Sequence, residues 1–162
     1  MRTDERRLGE IEHVYRSRFR EFLRVAIAIT GDYQRALDAV QEGFGDAIRS
    51  RASFRGDGPL DGWIWRSVVN ASRDARRAQR DEGVLTADPA GRSNGHPELS
   101  PDVRAAVAAL PERQRLVLFL RHYADLDYAS IGTALGIRTG TVSATLSHAY
   151  ARLRRALEEV EA

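Results

Sequence analysis

The chain of 162 residues has room for one ordinary domain or two very small ones, and its 43% hydrophobic and 30% charged content is that of a folded soluble protein, not a disordered tail. It has no cysteine, which excludes a disulfide framework, a thiol nucleophile and a thiolate metal site. No apolar run approaches the ~20 residues of a membrane span, and the start MRTDERRLGE lacks a signal-peptide core, so the cytoplasm is the expected location.

In chain order, the first expected helix runs from about Leu8 to Thr30, with Ile11, Tyr15, Phe19, Phe22, Leu23 and Ala26 on one face. Gly31 suits its C-terminus, and Asp32 is placed to cap a second helix. That helix, about Tyr33 to Ser50, carries the apolar stripe Leu37, Val40, Phe44, Ala47 and Ile48, with Asp38, Gln41, Glu42 and Asp46 largely elsewhere. Gly43 and Gly45 weaken it by roughly 1 kcal/mol each. A third helix spans about Leu60 to Arg80, buried along Ile64, Val68, Ala71 and Ala75. Residues 81–100 have two prolines, three glycines and no periodicity, and read as a flexible linker. Beyond it, Val103, Ala106, Val107 and Leu110 mark a short helix, and Pro111 opens another that buries Leu116, Phe119, Leu120 and Tyr123. Two last helices follow, the first capped by Asp127 and ended by Gly136, the second capped by Thr139. Ile131, Leu135, Ile137, Val142 and Leu146 pack them together, which is the pattern of a helix-turn-helix. The fold class is all-α: two small helical domains joined by a linker, at 1–80 and 101–162.

The stretch FRGDGPLDGWIWRSVVN, before and within the third helix, invites three readings. Its glycines could cradle phosphate, but no strand precedes them, and Asp57 and Asp61 repel an anion. Two carboxylates alone cannot fill a metal's coordination shell. A base pocket fits better: Trp63, Ser67 and Asn70 share one helical face, offering a ring to stack an unpaired base and an amide to bond its edge. Arg66, Arg73, Arg76, Arg77 and Arg80 against Asp74 give the stretch from Trp63 to Arg80 a net charge of +4, although the whole chain is only +2. Core packing for Trp63 and a merely solvated arginine face are the plainer alternatives.

DAVQEGFGDAI with FRGDGPLDGWIWRSVVNASRDARR resembles region 2 of extracytoplasmic-function (ECF) sigma factors, and ALPERQRLVLFLRHYADLDYASIGTALGIRTGTVSATLSHAYARLRRAL resembles their region 4. The resemblance implies a bacterial initiation factor that binds core RNA polymerase at its clamp helices and flap, recognises −10 and −35 promoter elements and assists melting. It implies an anti-sigma factor as a further partner, and no cofactor or metal. It places polymerase docking at Asp38, Gln41 and Glu42. The −10 contacts fall to Asp57, Gly58, Leu60, Trp63, Arg66, Asn70, Arg73, Arg76 and Arg77. The −35 contacts fall to Arg115, Tyr128, Thr141, Ser143, Ala144, Thr145 and His148. Closure of the two domains over each other is a common way for this family to hide its DNA-binding faces.

The chain also departs from that pattern. Thr139 to Tyr150 contains no arginine and no acid, so bidentate arginine–guanine readout is not available there, and −35 binding is expected to be weak or little dependent on charge. Ala129 and Ser67 replace an acid and an apolar residue usual in the motifs. A sigma-like interaction protein without strong promoter recognition therefore stays open. An enzyme is disfavoured: His13, His96, His122 and His148 are scattered, with no HExxH, nucleophile elbow or P-loop.

Overall fold

The computed structural model describes residues 2–83 and 99–162, and these contain seven α-helices and no strand. Helices α1 (Arg2–Thr30), α2 (Tyr33–Arg49) and α3 (Leu60–Asp81) form an N-terminal unit, with a single 3-10 turn at Arg51–Ser53. Helices α4 (Pro101–Ala108), α5 (Glu112–His122), α6 (Tyr128–Leu135) and α7 (Thr139–Glu161) form a C-terminal unit. Most of the linker expected at 81–100 lies outside the described residues. No helix among the described residues is long and apolar enough to cross a membrane.

Local chemistry sets most of the boundaries. The Asp32 carboxylate accepts the Arg35 backbone N–H at 2.9 Å and starts α2, and Gly31 at φ 70° ends α1. Asp127 accepts the Ser130 N–H at 2.8 Å and starts α6; those bonds hold its carboxyl below its ordinary pKa. Gly136 ends α6 in the left-handed conformation, φ 67°. Thr139 does not cap α7 as expected. Ile137 N–H bonds back to Gly132 O at 2.9 Å, Arg138 stays extended, and Thr139 is already the first helical residue. Helix α1 begins earlier than its apolar stripe, fastened by an Arg51–Asp4 ion pair at 2.8 Å, and bends at Arg18 (φ −125°, ψ 16°).

In the N-terminal unit the Phe22 ring stacks on Trp65 at 3.8 Å and meets Phe44 edge-on at 4.8 Å. Trp65 is fully buried. Helix α2 buries Ala36, Ala39, Val40, Gly43, Phe44 and Ala47, a line of small residues that lets α3 approach closely. A Cβ at Gly43 would stand 2.6 Å from Val68 Cα, so this glycine is required by packing despite its propensity cost. The expected stripe is therefore rotated: Leu37 is only half-buried and Ile48 is exposed.

Helix α5 buries five consecutive residues, Leu116 to Leu120, more than a single face allows. The reason is tertiary: α7 covers one side, while α1 presents Ala28 and Ile29 to Leu116 and Phe119 on another. Apolar packing runs from one unit into the other, and α3 lies against α6. The two units are closed on one another.

Candidate nucleic-acid and polymerase interface

Helix α3 divides its faces cleanly. Ile64, Trp65, Val68, Val69, Ala71 and Ser72 are buried, whereas Trp63 and Ser67 are half-buried and Asn70 is exposed. The Trp63–Ser67–Asn70 face thus lies beside the buried line of α3: Trp63 packs against the edge of the core and Asn70 reaches solvent. Trp63 inclines against Phe54 at 5.4 Å, forming an aromatic corner at the mouth of the 54–62 loop.

Helix α6 covers part of that loop. A Cβ at Gly62 would stand 2.8 Å from Thr133 Cβ and 2.9 Å from Ser130 O, and one at Gly58 would stand 2.8 Å from Thr133 Oγ1. Contacts this short exclude a side chain at Gly62, and at Gly58 for as long as Thr133 keeps its hydroxyl, so the glycines permit the helix to sit directly on the loop. Arg18 clasps the seam, donating to Asp61 Oδ2 at 2.6 Å and to Ala124 O at 2.9 Å. Leu60, Gly58 and Asp57 lie beside this contact, half-buried, half-buried and exposed in turn.

A second clasp lies along α3. Arg73 Nε donates to Glu112 Oε1 at 2.6 Å, and this bond, aided by the charges of Arg73, Arg115 and Arg77, holds the Glu112 carboxyl below its ordinary pKa. Arg76 lines a crevice with Ala28, Glu112 and Arg115. Arg77 reaches Asp74 at 3.3 Å, and Arg66 extends toward the turn at Gly136. Of the arginines expected to meet DNA phosphates, Arg73 and Arg76 are therefore engaged at the seam, whereas Arg66 is exposed.

On α2, Asp38, Gln41 and Glu42 are exposed together, bordered by Ile48 and the half-buried Leu37. Those two apolar residues had been assigned to the core. Their place beside the polar trio makes a mixed face suited to a protein partner.

On α7, Ser143, Ala144 and His148 are exposed and Thr141 is half-buried. Thr145 is not on this surface: it is 8% exposed, and its hydroxyl donates to Thr141 O at 2.6 Å. The face of α7 that carries Val142, Leu146 and Ala149 carries Thr145 as well, which is why a polar residue ends up inside. Ser147, one turn beyond Ser143, is exposed in its stead; that i+4 spacing was the available signal. Tyr128 is 42% exposed at the start of α6. Arg115 donates to Ala108 O and Leu110 O at 3.1 and 2.5 Å, so its guanidinium closes the end of α4. Burial, seconded by Arg121, pushes His122 below its ordinary pKa, and its Nε2 lies 2.7 Å from Tyr150 Oη. Among the described residues no group of acids and histidines could hold a metal ion.

This geometry can be set beside known proteins. The family description "Sigma-70 region 2" matches residues 14–82, and "Sigma-70, region 4" matches residues 100–153. The chain is 30% identical over 149 residues to the ECF RNA polymerase sigma factor SigM of Mycobacterium tuberculosis, covering 90% of this chain and 76% of the relative. It is 32% identical over 158 residues to SigL of the same species, covering 85% and 82%. The RNA polymerase sigma-H factor of Pseudomonas aeruginosa is 27% identical over 156 residues, covering 85% and 81%. Among solved structures, CnrH in complex with the cytosolic domain of CnrY has the same fold, with a TM-score of 0.68 at 20% identity over 92% of this chain and 88% of that one. The sigma factor RpoE of Bartonella quintana, in complex with the anti-sigma factor NepR, is equally similar, with a TM-score of 0.67 at 20% identity over 92% and 97%. With both regions matched in order and relatives at this level across most of its length, the chain belongs to the ECF family of RNA polymerase sigma factors.

Proposed function

We propose that this sigma factor directs promoter-specific initiation through three separate surfaces, one each on α2, α3 and α7, and that it does so by binding, in the cytoplasm, without catalysis. Asp38, Gln41 and Glu42 dock on core polymerase. The 57–62 loop with Trp63 and Asn70 takes a flipped base of the −10 element, flanked by the exposed Arg66. Thr141, Ser143, Ala144 and His148 meet the −35 element, with Ser147 added and Thr145 removed.

The observation that carries this reading is the Trp63–Ser67–Asn70 face, which lies outside the fully buried line of α3 and is set beside the loop. An aromatic ring and an amide in that place supply stacking of ~1–3 kcal/mol plus edge hydrogen bonds, enough to offset unstacking one base. The closed arrangement covers this site, so polymerase binding must part α6 from α3 before a base can enter.

A second reading is favoured by the first half of α7, Thr139 to Tyr150, which carries no arginine and no acid: a sigma-like protein that holds polymerase, or an anti-sigma partner, with little −35 recognition. Run-off transcription with purified core polymerase on a library of upstream DNA separates the two. Selective initiation establishes the first reading and displays both elements; stable polymerase binding without initiation establishes the second. The double substitution Gln41→Ala, Glu42→Ala is expected to weaken core binding about tenfold or more, and unchanged affinity removes the docking assignment.

A further inference from the structure

The closed units enclose a cleft of about 1240 Å³ between the 54–66 segment and the helix-turn-helix. Four guanidinium groups line it, Arg55 and Arg66 from the N-terminal unit and Arg113 and Arg138 from the C-terminal one, against the single carboxylate of Asp57. None of the four makes an ion pair or side-chain hydrogen bond with another described residue. Asp61, the other acid of the loop, is already neutralised by Arg18 at 2.6 Å. Phe54 and Trp63 lie on the same wall.

Closure thus gathers, around one space, four positive charges from two units that have no ion-pair partner among the described residues. Their mutual repulsion opposes the apolar contacts that hold the units together. A compact multivalent anion would remove that opposition, because each guanidinium can donate paired N–H bonds to phosphate oxygens. We propose that this cleft is a polyphosphate-binding site, formed only in the closed state, whose occupant holds the sigma factor shut. The ligand class is a chain of phosphates, either free or carried by a nucleotide whose ring stacks on Trp63. Arg66 would then be shared between ligand and promoter phosphate, so the two compete. The proposal rests on the reading above that the closed state covers the −10 site.

The chain has no cysteine, and a Cβ at Gly58 would lie 3.9 Å from Thr133 Cβ, a separation that suits a disulfide. The variant Gly58→Cys, Thr133→Cys therefore reports closure through cross-linking under mild oxidant. Inorganic tripolyphosphate is the probe, compared with sulfate at equal ionic strength, and binding to the full chain is read by calorimetry. Tripolyphosphate is expected to bind once per chain and to speed cross-linking, and Arg66→Ala or Arg138→Ala to weaken it about tenfold each. Gly62→Leu, which forces the seam apart, is expected to abolish that binding. ATP in place of tripolyphosphate distinguishes the sources: tighter binding, lost with Trp63→Ala, identifies a nucleotide, and equal binding identifies the phosphates alone.

Absence of cross-linking in any condition overturns the closed state and the site with it. Cross-linking without tripolyphosphate binding, or binding indifferent to both arginine substitutions, overturns the site and leaves closure standing. Both arginines are exposed, so their replacement leaves the fold intact, which circular dichroism verifies.

Discussion

The two surfaces assigned to DNA differ in how the closed molecule treats them. The loop and first turn of α3 are covered by α6, while the outer face of α7 remains in solvent. The covering element is the first helix of the helix-turn-helix, α6. On the function proposed above, closure hides the site where a base would leave the duplex and leaves open the face where an intact duplex would lie. Masking the first of these would then be enough to prevent promoter opening. The contact that does the masking is built from glycine and threonine, whereas the apolar packing of Ala28 and Ile29 against Leu116 and Phe119 holds the units together beside it and is exposed when they part.

The sharpest way to break this difference is Gly62→Leu. The three atoms nearest to a Cβ there all belong to α6, so a side chain disrupts the seam first. The expected loss is about 1–3 kcal/mol of closure, seen as a larger radius of gyration in X-ray scattering; an unchanged radius would show that the seam tolerates bulk. Asn70→Ala tests the open half of the same helix. Promoter opening is expected to fall about tenfold while polymerase affinity and closure hold, and equal loss of both would remove the base-contact role. Arg18→Ala deletes both bonds of the clasp and is expected to cost about 1 kcal/mol of closure, checked by the rate of 58–133 cross-linking. The smallest effect is expected from Glu112→Gln, about 0.5 kcal/mol, because the Arg73 pair is half in solvent. Its sign is set by the depressed pKa of Glu112. The pair contributes fully above the ordinary carboxylate pKa and is lost as pH falls through the lower folded value, so the radius of gyration of the parent should grow more in acid than that of the Gln variant.

Much of this molecule is legible one element at a time. Asp32, Gly31, Asp127 and Gly136 mark helix ends by their own chemistry, and the structure uses them in those roles. Trp63 and Trp65, two residues apart, must point to different sides of a helix, and Trp65 is the buried one. The order of motifs, two helical units with a helix-turn-helix last, carried the family. Periodicity failed where a partner helix redefined the buried face. Small residues on α2 drew its packing line away from Leu37 and Ile48, Thr145 followed the inner line of α7, and α1 buried the second side of α5.

The sequence by itself determined the helices, most of their caps and the family, because each depends on residues within a few turns of one another. Only the tertiary structure decided that the units close, which arginines become engaged, and the sign of charge around the 54–62 loop. Taken alone that loop carries Asp57 and Asp61 and repels an anion. Closure pairs Asp61 with Arg18 and brings Arg113 and Arg138 from more than forty residues away to face Arg55 and Arg66. Electrostatic potential sums over neighbours in space, and those neighbours are set by the fold, not by adjacency in the chain.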